Sequence, residues 1–160
     1  VFNNVDLDMS QFEKTWEELK RDEKGETSIT SGLKRIPNHL PALIKAEKIQ
    51  HKAALIGFDW DDIKDVFEKI EEEYKELLDE CKQGNIKYIK EELGDLLFSI
   101  VNLARFLHID SEEALNLTNQ KFISRFEFME ENASKLHKKL EDLTLDQMEE
   151  LWQSAKKNKL

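Results

Sequence analysis

The chain is poor in the residues that make turns, staples and membrane spans. Five glycines and two prolines in 160 residues argue against β-hairpins and for long helices. One cysteine, Cys81, excludes an internal disulfide framework and fits a reducing cytoplasm, where it reads as a small hydrophobe. No apolar run reaches the length of a membrane span and no secretory pattern opens the chain, so neither is expected. Val1 in place of Met suggests a piece of something longer. Basic residues are also short, 24 against 34 acidic, for a net charge of −10. Such a surface repels nucleic-acid backbones and excludes DNA or RNA polymers as partners. A small phosphorylated ligand stays compatible if divalent cations bridge it to carboxylates.

What is present is helix after helix. Ser10 and Glu13 make a capping-box pattern for a first helix carrying Phe12, Trp16 and Leu19, and "GETSITSGLKR" follows as a polar, aperiodic linker. A boundary is placed there, giving an N-terminal helix and linker over 1–35 and a helical domain over 36–160. Pro41 opens a helix that Gly57 stops, and "FDWDD" turns into the next with Asp59 or Asp61 as N-cap. That helix reaches about Gln83, where Gly84 and Asn85 break it. Another spans roughly Ile86–Leu107, and Ser111 caps one running to about Leu140. Thr144 and Gln147 form a capping box for the last. The class is all-α, an antiparallel bundle with a four-helix-type core and an extra N-terminal helix.

The segment "KIEEEYKELLDE", Lys69–Glu80, carries six acidic residues in twelve. At 100° per residue they do not share one face. Ile63, Val66, Phe67, Ile70, Tyr74, Leu77, Leu78 and Cys81 define the apolar side. Glu73 falls within it, Glu76 and Lys69 on its shoulder, and Glu72 just beyond. Glu71, Lys75, Asp79 and Lys82 point away as solvated surface. The next helix, "LGDLLFSIVNLARFL", is apolar nearly all round, as in a helix buried on most sides, yet Glu92, Asp95, Ser99 and Asn102 share one stripe. A short loop makes the two helices antiparallel neighbours, so Glu73 and Glu76 can face Glu92 and Asp95. Buried carboxylates need compensation, either a salt-bridge network with Lys69, Lys87, Lys90 or Arg105, or a bound metal. An all-carboxylate cage selects Mg²⁺, with Mn²⁺ as substitute. No histidine stands three residues after a glutamate, which removes a di-iron bundle, and ligands for zinc are wanting. Asn102 and Gln50, on inward faces, are possible base contacts, or satisfied buried amides.

At these residues the chain resembles the all-α nucleoside triphosphate pyrophosphohydrolases, and more narrowly the MazG type. Glu72, Glu73 and Glu76, then Glu92 and Asp95 in "EELGDLLFSIVNLAR", follow that family's E-E-x-x-E…E-x-x-D signature. The likeness extends through "LPALIKAEKIQHKAALIGFDW", "NQKFISRFEFME" and "LDQMEELWQSAKK", covering about residues 36–157. It implies the C-terminal, catalytic half of a longer protein. It further implies Mg²⁺-dependent hydrolysis of nucleoside triphosphates to monophosphate and pyrophosphate, in a cytoplasmic homodimer or higher oligomer.

Carried over by position, the resemblance makes Glu73, Glu76, Glu92 and Asp95 metal ligands and sets Lys69 and Glu72 beside the nucleotide. Lys121 and Arg125 would hold phosphates, and Trp152 with Lys156 would complete the site. Where a relative has a lysine four residues before the glutamate of the second acidic pair, Glu92, this chain has Tyr88, with Lys87 and Lys90 alongside, and Lys90 is the phosphate candidate. Glu72 is the candidate to orient or deprotonate the attacking water. Two alternatives stay open: a base-selective dUTP or dCTP pyrophosphatase of the same superfamily, and a regulatory helical protein that binds nucleotide without turnover.

Overall fold

The computed structural model describes residues 28–158. The helix expected around Ser10 lies outside the described residues. Six α-helices and one 3₁₀ turn, with no strand among the described residues, bear out the all-α class. They fall into two compact units, Val1–Ser111 and Glu112–Leu160.

In the first unit, α1 (Ile29–Lys34) occupies part of the stretch expected to be an aperiodic linker. A reciprocal serine pair builds it: Ser28 Oγ accepts from Ser31 N at 3.1 Å and Ser31 Oγ from Ser28 N at 3.2 Å. Six residues are too few to show a helical period, so only the cap carries the signal. Helix α2 (Ala42–Ala54) starts after Pro41 as expected. It closes at Ala54, and Gly57 at φ +87° turns the chain out of it.

Helix α3 (Ile63–Gln83) is capped by Asp62, whose Oδ1 accepts from Lys64 N at 2.8 Å, and not by Asp59 or Asp61. Asp59 is engaged elsewhere, as described below. Gly84 ends α3 at φ +76°, and Asn85 at once caps α4 (Ile86–Phe106). Two 21-residue helices joined through two cap residues form an antiparallel hairpin, and α2 packs on α4. Val66 and Val101 lie fully buried within it.

The helical phases hold, but the hairpin is less covered than its composition suggests. Phe67, Tyr74 and Leu78 on α3 are exposed, as are Leu93, Leu97 and Ile100 on α4, and Cys81 is exposed too. Among the described helices of the unit α2 makes the main contact with the hairpin and these positions on α4 stay open, so the expectation that α4 is buried on most sides fails.

In the second unit, α5 (Ser111–Lys135) stops short of the expected Leu140. His137 takes φ +54° and Lys138 N donates to Ala133 O at 3.0 Å, closing the end with a left-handed residue. A 3₁₀ turn (Leu140–Asp142) leads to α6 (Leu145–Lys157), where the Thr144–Gln147 capping box forms as expected. Met129, Ala133, Leu143 and Ala155 are buried.

Candidate active site

Helical spacing does the first part of the assembly. Lys69 and Glu73 are one turn apart on α3, and Lys69 Nζ lies 2.7 Å from Glu73 Oε1 and 3.0 Å from Glu72 Oε1. On α4, Glu92 and Asp95 are likewise one turn apart. Across the seam, Glu73, Glu92 and Asp95 each present a carboxylate oxygen, and all three oxygens lie within 4.8 Å of one another. Glu73 is buried, Glu92 half-buried and Asp95 exposed, so the cluster opens toward solvent on the α4 side.

The electrostatics are one-sided. Partial desolvation raises the Glu92 carboxyl above the usual carboxylate value, and the charges of Glu76, Asp95, Glu73 and Glu80 push it further the same way. Lys69 is held above the usual lysine value, first by its hydrogen bond to Glu73, then by that to Glu72. The salt-bridge network weighed from sequence is therefore only partly made. Arg105 pairs with Asp59, Lys87 stands 4.0 Å from Glu91, and Lys90 is exposed. One lysine faces three clustered carboxylates, with Glu76 and Glu80 nearby. Close oxygens with excess negative charge fit a hard divalent cation.

Of the four expected metal ligands, Glu73, Glu92 and Asp95 come together. Glu76 is exposed and acts on Glu92 through its charge, outside the cluster of three. Glu72 is exposed and bound to Lys69.

A cavity of about 720 Å³ adjoins the cluster, with Lys69, Glu73 and Asp95 in its lining. Its apolar walls include Phe58, Trp60 and Phe98, together with Ile29 and Leu33 of α1. Gln50 and Asn102 also line it, so both possible base contacts reach the same space. Gln50 is buried and its Nε2 donates to Phe98 O at 2.8 Å, tying α2 to α4. Asn102 Oδ1 accepts from Arg105 Nε at 3.2 Å and from the terminal nitrogen Nη2 at 2.7 Å. Arg105 also grips both carboxylate oxygens of Asp59, a fork-on-fork pair that pins the turn carrying Phe58 and Trp60 to α4. Phe58 is 80% exposed and Trp60 is exposed as well, so neither is simple core.

From the sequence, Arg105 was considered only as a compensating cation and Asp59 only as a cap. Phe58 was missed. The available signal was two aromatics bracketing an aspartate in a turn, a place where side chains are presented rather than buried.

The remaining expected residues lie in the second unit. The Arg125 guanidinium stacks over Trp152 at 5.0 Å, and Trp152 packs with Phe122 and Phe126. Lys121 and Lys156 are exposed.

Residues 62–129, which include the carboxylate seam, match the MazG nucleotide pyrophosphohydrolase domain family. The chain carries a MazG domain. Over 143 residues it is 47% identical to the nucleoside triphosphate pyrophosphohydrolase/pyrophosphatase MazG of Thermotoga maritima, covering 89% of this chain and 54% of that protein. Over 147 residues it is 40% identical to the nucleoside triphosphate pyrophosphohydrolase of Escherichia coli K12, covering 91% and 56%. The Bacillus subtilis protein YabN is 44% identical over 158 residues, covering 98% of this chain and 32% of YabN. The chain thus spans about half the length of the first two relatives. The MazG match begins at Asp62, the cap of α3, and its first two helices are those that build the seam.

Proposed function

We propose that this MazG domain hydrolyses nucleoside triphosphates to the monophosphate and pyrophosphate with Mg²⁺, Mn²⁺ serving as substitute. The observation that carries the reading is the convergence of Glu73, Glu92 and Asp95 within 4.8 Å at the edge of an aromatic-walled cavity. Those three would hold the ion, with Glu76 nearby. A bound Mg²⁺ neutralises phosphate charge and lowers the pKa of a coordinated water.

The chain's own residues have the other roles. Lys69, tethered to Glu73 and Glu72, places a positive charge at the cavity wall where a phosphate group would lie. Glu72, exposed beside Lys69, is positioned to accept a proton from an attacking water. Phe58 and Trp60 offer flat faces to a base, and Gln50 and Asn102 offer polar atoms at the inner wall. The names of the Thermotoga and Escherichia relatives support the reaction class.

We also propose that two copies associate through the apolar stripes left open on α3 and α4. Exposed Phe67, Tyr74 and Leu78 follow i, i+7, i+11 spacing, and Leu93, Leu97 and Ile100 follow i, i+4, i+7, so each stripe keeps one face.

The deciding experiment offers the common ribo- and deoxyribonucleoside triphosphates with Mg²⁺ and follows products by phosphorus NMR. Monophosphate with pyrophosphate is expected. Binding without turnover would favour a regulatory nucleotide binder, and orthophosphate with diphosphate would mean attack at a different phosphorus.

A further inference from the structure

Glu73 stands in two arrangements at once. Its side chain is 7% exposed, and Lys69 Nζ lies 2.7 Å from its Oε1. It also belongs with Glu92 and Asp95 to the cluster of carboxylate oxygens within 4.8 Å of one another. A carboxylate this buried needs a cation at all times. Among the described residues Lys69 is the one that reaches it, since Arg105 is committed to Asp59 and Asn102. A divalent ion on Glu73 would set two positive charges against one carboxylate. Held also by Glu92 and Asp95, the ion is the stronger competitor. Lys69 has an alternative partner. Glu72 Oε1 is 3.0 Å from the same Nζ, its side chain is 56% exposed, and it lies outside the cluster. The flexible four-carbon stem lets the ammonium leave Glu73 and stay paired.

Resting on the metal-ligand reading above, we propose that Lys69 is an exchangeable counter-ion. It holds Glu73 when no divalent ion does, and metal entry transfers it to Glu72 alone. The transfer leaves the ammonium at the cavity wall, which Lys69 lines, ready to take a phosphate oxygen. Metal binding thereby prepares the phosphate grip, and Glu72 is the holding point that keeps the lysine out of the ion's place.

The test measures Mn²⁺ binding without nucleotide, the free ion counted by electron paramagnetic resonance. It uses wild type, Lys69→Met, Glu72→Gln and the double variant, each checked for helix content. Lys69→Met should bind Mn²⁺ at least about fivefold tighter than wild type, because the competitor is gone. Glu72→Gln should bind more weakly than wild type, because Lys69 then stays on Glu73. That loss should largely vanish when Lys69→Met is already present. Equal or weaker binding by Lys69→Met would make the lysine a positioning group for Glu73 and overturn the exchange. An equal Glu72→Gln loss in both backgrounds would reduce the effects to plain charge and overturn it too. A crystal of wild type with Mn²⁺ decides the question without a variant. Lys69 should sit on Glu72 and out of hydrogen-bond reach of Glu73, and a Lys69–Glu73 bond beside the bound ion overturns the inference. Failure of all four proteins to bind Mn²⁺ is a different result, which would sink the metal-ligand reading and this inference with it.

Discussion

Removing the Lys69 ammonium leaves Glu73, whose side chain is only 7% exposed, as a buried anion. Lys69→Met should destabilise the metal-free protein by about 1–2 kcal/mol. That is less than a fully buried pair would lose, because Lys69 itself is partly solvated. Chemical denaturation measures it, and adding Mg²⁺ should recover part of the loss. Because the folded-state pKa of Lys69 is raised, its contribution is complete below the ordinary lysine value and disappears only as pH rises through the raised one. The loss should therefore be constant across neutral pH.

Glu92 has the opposite sign. Its carboxyl is raised by desolvation and by neighbouring carboxylates, so its charge costs stability at neutral pH and that cost vanishes once the group is protonated. Glu92→Gln should raise the metal-free melting temperature at pH 7. The advantage should disappear below the ordinary carboxylate value of 4.5. A melting temperature lowered at pH 7 would contradict the repulsion argument. The helical angle made Glu73's burial legible in the sequence, and Glu92 and Asp95 followed from the same angle. Glu76 shows where that ends: a shoulder position at 100° per residue leaves open whether a flexible side chain turns into the seam or out to water.

At the scale of elements, the Arg105–Asp59 pair makes the turn between α2 and α3 a wall of the cavity. Arg105→Ala should release Phe58 and Trp60 and free the Asn102 amide to rotate. If those aromatics hold the base, KM should rise roughly tenfold with a smaller change in kcat, since the carboxylates are untouched. Arg105→Lys should recover little, because a lysine cannot make the fork. Equal losses in kcat and kcat/KM would place Arg105 in the chemistry instead. Glycine and asparagine at residues 84–85 announced the α3–α4 turn because each does one geometrical job, a left-handed cap and then an N-cap. The α1 helix and the cap of α3 were not legible. Three aspartates within four residues compete for one capping position, and only Asp59's distant partner on α4, 46 residues away, removes it from the contest.

At the scale of the molecule, the question is what covers the α3–α4 hairpin. The sequence reading that α4 is buried nearly all round was sound about composition, yet among the described residues of the first unit α4 packs mainly on α3 and α2 and keeps Leu93, Leu97 and Ile100 exposed. A second copy is the economical answer in this account. Sedimentation should show a dimer, and Leu97→Asp, placing a charge in the open stripe, should yield monomers of unchanged helix content. A monomeric wild type would remove the association and leave the stripes unexplained. The expectations for Lys121, Arg125, Trp152 and Lys156 in the second unit came only from family resemblance, since exposed lysines on a helix carry no signal of their own.

The claim on which the rest depends is that the Glu73–Glu92–Asp95 cluster holds the ion for hydrolysis. The most direct measurement is pyrophosphate release from a nucleoside triphosphate by wild type and Glu73→Ala, with and without Mg²⁺, with circular dichroism run alongside. The account predicts release by wild type only with Mg²⁺, and at least about a hundredfold loss in Glu73→Ala with helix content preserved. Full Mg²⁺-dependent turnover by a folded Glu73→Ala would contradict it.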